Sequence, residues 1–406
     1  DKFHDSLNDR YDPSFKPDFS EDTLRSYNYI THLSIFKRSL MEKLGGFRSE
    51  FDGSQDYDII LRATEMAEKI VHITKVLYSW RVHRNSTAMM SEAKPYAYES
   101  AILALTSHLE RKNIKAKVKH GFTLGFYKID YELYNNTKVS IIISNICKYK
   151  QICLCLNYLL NSTYKNVEVL LINDGNNKVD FNKILEIYKK VIDICVINVK
   201  DENIEKINYA TMNNLAVSKA TGEYIVFMDA NIRIITTDFI EEMLGLCQRE
   251  NVGMVGAKIL YPNNTIESAG YVLGMKGNIG NVNRYLPDFI PGYYSRAVVV
   301  NNYSAVSSKC AMIKKSNFEI INGYDKNFEN DFYDVDLCLK LLDKGFVNVY
   351  NSFAKVNDYV KISKNNIYLE NDINILKQKW YEKMKSDRYF NPNLRLDIEN
   401  YLVNKD

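Results

Sequence analysis

"EYIVFMDAN", residues 223–231, is an unbroken apolar run of strand length that stops at Asp229 and Asn231. A strand without polar alternation must be covered on both faces, as in a parallel sheet flanked by helices. The same pattern recurs in "KVSIIIS" (138–144), "NVEVLLINDG" (166–175), "IDICVINV" (192–199) and "VGMVGAKILY" (252–261). Helical patterns over 151–160, 207–222 and 239–250 alternate with these runs, and the middle one closes at Gly222. This βαβα order predicts an α/β fold with a Rossmann-like, mostly parallel sheet flanked by helices. Ligands of such sheets sit beyond the carboxyl ends of the strands, where Asp174 and Asp229 fall.

Further along, "NDFYDVDLCLK" (330–340) places Asp334 and Asp336 ahead of an apolar helical run. The chain has already written the same start in "GSQDYDIILR" (53–62), with Asp56 and Asp58 at the same spacing. The segments before them also align: "KRSLMEKLGGF" (37–47) faces "KKSNFEIINGY" (314–324). The offset is about 280 residues, the size of a domain rather than of a solenoid unit. The earlier copy begins only about 55 residues ahead of its acidic motif, so on the repeat logic it lacks the strand-rich half.

A length of 406 residues also argues for two units. Hydrophobic residues make up 46% and charged residues 25%, the profile of a globular protein. A formal charge of +3 with no dominant Lys/Arg block gives no nucleic-acid footprint. No apolar run approaches a membrane span, and "DKFHDSLNDR" is unlike a signal peptide and has no initiator Met, so the chain reads as a fragment. The seven Cys all lie beyond residue 140 without a C-x-x-C pair, as expected of reduced thiols in a cytoplasmic protein. The six His all fall in the first third, so the later unit has no imidazole for base or metal chemistry.

In this order the motifs resemble those of family-2 glycosyltransferases, the inverting GT-A enzymes that build bacterial surface polysaccharides, in a tandem arrangement. The likeness rests on "FKPDFSEDTLRSYNYITHL", "GSQDYDIILRATE", "HITKVLYSWRVHRNSTA" and "AKPYAYES" in the first copy. In the second it rests on "KVSIII", "VEVLLINDG", "NNLAVSKATGEYIVFMDAN", "VGMVGAKILYPNNTIESAG", "YDVDLCLKLLDKGF" and "NPNLRLD". It implies four segments: residues 1–130, the acceptor-binding half of a first domain; a connector, 131–138; a complete GT-A-like domain, 139–360; and a helical tail, 361–406.

The resemblance also implies a nucleotide-diphosphate sugar (UDP- or dTDP-linked) as donor and a glycan or lipid-linked glycan as acceptor. Nucleic acid is not an expected partner, and peripheral contact with the inner membrane face is. A divalent cation, Mg²⁺ or Mn²⁺, would neutralise the departing diphosphate, and a carboxylate would take the acceptor's proton. Asp56 and Asp334 match the family's base, although an Asp there also suits a helix cap. Asp58 and Asp336 point elsewhere around the helix, as structural or acceptor-orienting groups, and Asn302 and Tyr303 are expected on the acceptor side. The nucleotide-sugar set is Ser144, Asn145, Asn173, Asp174, Asn208 and Asp229. The metal set is His83, Asp229, Asn231 and Asp358.

The second copy departs from the family pattern in several places. Asn173 opens an otherwise acidic pair, and Asn231 ends the metal motif where an Asp is usual. Asp358 stands in place of the late His, and "SNIC" (144–147) replaces the usual first-strand exit. Two readings therefore stay open. One is an active glycosyltransferase; the other is a degenerate sugar- or partner-binding second unit that supports the first.

Overall fold

The computed structural model describes residues 2–4, 9–82, 95–176, 178–202, 206–360 and 369–404. Four of the apolar runs form a parallel block in the order Tyr224–Asp229, Val139–Ser144, Val167–Asn173, Asp193–Asn198. Helices Tyr149–Leu160, Phe181–Tyr188 and Tyr209–Lys219 provide the crossovers. Val139, Ile141 and Ile143 enter one core while Ile142 enters the other, so the strand is buried on both faces. That double burial is why its sequence shows no alternation.

The sheet continues past Tyr224–Asp229 in a way the sequence did not announce. Cys310–Lys314 runs antiparallel to it and to Val252–Leu260, which in turn pairs in parallel with Val347–Asp358. Ile232–Ile234 and Asn301–Tyr303 add antiparallel edges along Val347–Asp358, and Ile266–Ser268 pairs with Val252–Leu260, giving ten strands. The insertion brings the turn at residues 307–309 beside the end of the Tyr224–Asp229 strand.

The first unit packs a separate core from Leu24, Phe51, Tyr57, Ile60, Leu61, Ala104 and Leu105. The hairpin Ala116–His120/Tyr127–Tyr131 ends where the connector was expected to begin. Helix Glu21–Ser26 is buried against the Asn301–Tyr303 edge. Asp22, 1% exposed, pairs with Arg249 at 2.7 Å and accepts from Asn302 Nδ2 at 2.7 Å. Ser26 Oγ donates to the carbonyl of Val300 at 2.9 Å. From the C-terminal segment, Asn391 Nδ2 reaches the Lys16 carbonyl and Asn393 Nδ2 reaches that of Thr74, so both units are stitched together.

A buried cation left without its partner is costly, so Asp22→Ala is expected to destabilise the chain by about 3–5 kcal/mol in urea unfolding. Combining Asp22→Leu with Arg249→Met should recover most of that loss. An unchanged urea midpoint for Asp22→Ala would show that the pair contributes nothing at this junction.

Two stretches of the chain share one local geometry. Helices Arg38–Leu44 and Lys315–Ile320 each follow an extended lysine and end in consecutive left-handed residues, Gly45–Gly46 and Asn322–Gly323. Helices Gln55–Met66 and Tyr333–Asp343 follow. Arg62 pairs with buried Asp58 at 2.7 Å and donates to the Gly46 carbonyl at 2.8 Å. Lys340 pairs with buried Asp336 at 3.3 Å and donates to the Gly323 carbonyl at 2.6 Å. The surroundings differ, however. Val347–Asp358 is inside the sheet, whereas Val71, Ile73 and Leu77, before the short Trp80–Val82 strand, are exposed by 58–68%.

Candidate active site

The candidate site is assembled from the ends of the parallel strands. Val139–Ser144 runs into Asn145, which adopts a left-handed conformation (φ 57°) that asparagine tolerates better than most residues. Asn145 Nδ2 donates to Asp229 Oδ2 at 2.6 Å. Asp229 Oδ1 accepts from the backbone N–H of Asn231 at 2.8 Å and from its Nδ2 at 3.0 Å. Gln151, in the first turn of the next helix, donates to Asn231 Oδ1 at 2.9 Å and to the Asn145 carbonyl at 3.1 Å. Sequence reasoning passed over Gln151. Its signal was position: a glutamine three residues after the helix cap reaches back to the entering backbone.

Asp174 lies half-exposed just beyond Val167–Asn173, and its Oδ1 accepts from the N–H of Asn176 at 2.9 Å. Asn173 Oδ1 accepts from the N–H of Gly175, and its Nδ2 donates to Asn198 Oδ1. Asn208 caps helix Tyr209–Lys219 by accepting from the Thr211 N–H, and its Nδ2 holds the carbonyls of Lys326 and Phe328. All of its polar side-chain atoms are therefore engaged in structure. Asn302 is engaged with Asp22 and Ser20 at the junction between the units. Tyr303 is fully buried, its hydroxyl 3.0 Å from that of Tyr401.

Asp334 occupies the first turn of helix Tyr333–Asp343, after Phe332, whose backbone is left-handed (φ 60°). It is 8% exposed. Its Oδ2 accepts from the N–H of Ser308 at 3.2 Å and its Oδ1 from that of Val335 at 2.9 Å. One residue on, the Lys309 carbonyl accepts the N–H of Asp229 at 2.8 Å. A single turn thus joins Asp334 to the end of the Asp229 strand. Burial pushes the Asp334 carboxyl up to about 6, against the downward pull of the Ser308 and Val335 N–H groups and of Lys309. Tyr209 and Tyr333 stack beside it with ring centroids 4.0 Å apart.

In the first unit Asp56 is half-buried and accepts from Asn28 Nδ2 at 3.1 Å. Asp58 is fully buried between Arg62 and Arg48. Burial alone would raise its carboxyl, but the two guanidiniums hold it below the usual range. Asp336 is equally buried, with Lys379 at 2.5 Å and Trp380 Nε1 at 2.9 Å in addition to Lys340. His83 lies outside the described residues.

The metal set of the second copy does not suit a hard divalent cation. Asn231 is neutral, and both oxygens of Asp229 accept from the amides of Asn145 and Asn231. Asp358 pairs with Lys309 Nζ at 2.7 Å, and the same ammonium lies 2.8 Å from Glu267 Oε1. Among the described residues no cluster of three His, Cys, Asp or Glu forms a metal site. Lys309 and Glu267 were not read as site residues, because neither carries a local spacing signal. A polar cavity of about 280 Å³ lies elsewhere, under the hairpin, between Arg25, Lys128 and Glu242.

A sheet covered on both faces, with carboxylates gathered at its carboxyl strand ends, defines an α/β domain with its site in the usual place for that architecture. The family model described as "Glycosyl transferase family 2" matches residues 140–320. An uncharacterized protein, y4gI, of Sinorhizobium fredii is 33% identical over 97% of this chain and 44% of its own length. The O-antigen biosynthesis protein RfbC of Myxococcus xanthus is 29% identical over 97% of this chain and 31% of its own length. The chain thus spans less than half of either relative.

Two solved structures also align. GalNAc-T7 with UDP, GalNAc and Mn²⁺ shares 12% identity over 64% of this chain and 51% of its own, with a TM-score of 0.48. A Pyrobaculum calidifontis mannosyltransferase with GDP-Man and Mn²⁺ shares 14% identity over 71% of this chain and 79% of its own, with a TM-score of 0.41. No described helix is long and apolar enough to cross a membrane.

Proposed function

We propose that the chain belongs to an inverting glycosyltransferase that moves a sugar from a UDP- or dTDP-linked donor to a growing cell-surface glycan. The observation that carries this reading is Asp334: a buried carboxyl raised to about 6, joined through the Ser308–Lys309 turn to Asp229 at the strand ends. In the reaction, the acceptor hydroxyl loses its proton to Asp334 as its oxygen bonds to the anomeric carbon. The bond from that carbon to the diphosphate breaks on the opposite face, and the nucleoside diphosphate leaves with the electron pair. Asp229 and Asp174 hold the nucleoside side of the donor.

Residues 1–130 are assigned as the acceptor half of a further copy, with Asp56 as its base. Two observations support this: the paired helix geometry, and the bare apolar residues at positions whose counterparts lie inside the ten-stranded sheet. Mg²⁺ or Mn²⁺ is assigned to that copy together with His83. The setting is cytoplasmic, at the inner membrane face where a lipid-linked glycan is presented. A second reading, a degenerate sugar-binding second unit, is favoured by Asn231 and by the pairing of Asp358 with Lys309.

Titration calorimetry of the 406-residue chain with UDP and with dTDP, Mn²⁺ present, separates the two. The transferase reading expects binding that Asp229→Ala weakens by roughly tenfold or more, the value of a charge-assisted hydrogen bond. Absence of heat with either nucleotide would leave the sugar-binding reading.

A further inference from the structure

Lys309 stands where the metal set was expected to gather. Its backbone carbonyl is fixed by the N–H of Asp229, and its Nζ lies on Asp358, beside the Asp229–Asn231 turn. Asp358 pairs across the sheet with Ile232, and the N–H of Tyr359 donates to the Asn231 carbonyl, so this carboxylate cannot drift from the strand ends.

The layering of the charges is specific. Asp358 is 1% exposed and Glu267 12%, whereas the Lys309 side chain remains 34% exposed. Both carboxylates are thus more buried than the lysine side chain whose ammonium they hold. An ammonium has three N–H donors, and among the described residues two of them go to Asp358 and Glu267. One is left for a further acceptor.

We propose that Lys309 takes the place of the divalent cation in the second unit, holding the diphosphate of the nucleotide donor without metal. This rests on the transferase reading above and deepens it. The chemistry is that of a point cation on a phosphate oxygen, the role lysine serves in other phosphate sites. The two carboxylates fix the direction of the ammonium. They also weaken its pull on the anion, so removing one of them should strengthen binding. Removing a nearby carboxylate favours an anion by itself, so the part of the gain that needs Lys309 is read from the Asp358→Asn/Lys309→Gln double variant.

The test is calorimetry of the full chain with UDP and dTDP in EDTA. Binding without metal is expected for the wild type, reduced roughly tenfold or more in Lys309→Gln and kept within about threefold in Lys309→Arg. Asp358→Asn leaves Lys309 in place, so it serves even if the Lys309 variants fold poorly. It is expected to tighten metal-free binding by roughly threefold or more. Equal binding in EDTA by wild type and Lys309→Gln would overturn the assignment, as would weaker binding by Asp358→Asn. Binding that appears only with Mn²⁺ would overturn it while leaving the transferase reading intact. No binding with or without Mn²⁺ would overturn both.

Discussion

Asp334→Asn is expected to lower sugar transfer by about a thousandfold while leaving the affinity for the nucleoside diphosphate within about twofold, because general-base catalysis alone is worth roughly 10²–10⁴. The substitution keeps the shape of the side chain and removes only its capacity to take a proton. With the carboxyl raised to about 6, kcat/KM in the wild type should rise about tenfold per pH unit below 6 and level off above it. Stability should move the other way. The folded state holds this proton more tightly than the unfolded chain, so the contribution is fully present below pH 4 and is lost as pH rises through 6. Asn imitates the protonated form, so the variant should be more stable than wild type above pH 6, by up to about 3 kcal/mol. Urea unfolding at pH 4 and pH 8 reads this difference directly. Equal transfer rates in the two proteins would remove Asp334 from the chemistry.

Asp336→Ala should destabilise the second unit by loosening its C-terminal helix. The carboxylate is inaccessible and serves Lys340, Lys379 and the indole N–H of Trp380 together. Its loss leaves the Trp380 indole N–H without its acceptor and removes one partner from each lysine, Lys379 keeping Asp325 and Lys340 the Gly323 carbonyl, a change expected to cost about 1–3 kcal/mol. Lys379 and Trp380 belong to helix Glu370–Met384, so this helix should also become the first site of proteolytic cleavage. The equivalent Asp58→Ala should act in the same way on Arg48 and Arg62. Limited proteolysis and urea midpoints indistinguishable from wild type would mean that neither carboxylate anchors its helix.

These two results divide an acidic pair that looks uniform in the sequence. Two residues apart on a helix, the side chains point in different directions: Asp334 faces the strand ends and Asp336 faces the tail. Spacing points the two side chains to different sides of the helix, but it does not identify the partners of Asp336, which come from residues 340, 379 and 380. The parallel strands were legible because double burial leaves continuous apolar runs. Cys310–Lys314 was not, because an antiparallel strand buried on both faces has the same composition as a parallel one. The hairpin at 116–131 has short strands of mixed polarity, and it ends where the expected connector begins. At the site, Asp229, Asn231 and Asn145 lie where strand ends place them. The Glu267–Lys309–Asp358 cluster draws on three distant segments, and only the fold brings them together.

A donor sugar is expected to lie between the Asp229–Lys309 side of the cleft and the carboxylate of Asp334. A crystal structure of the 406-residue chain with a non-hydrolysable UDP- or dTDP-sugar tests it most directly. The expected result places the diphosphate against Lys309 and Asp334 across the anomeric carbon from the leaving oxygen, with room for a hydroxyl between them. A nucleotide seated elsewhere, such as in the polar cavity under the hairpin, or an Asp334 carboxyl turned away from the anomeric carbon, would contradict it.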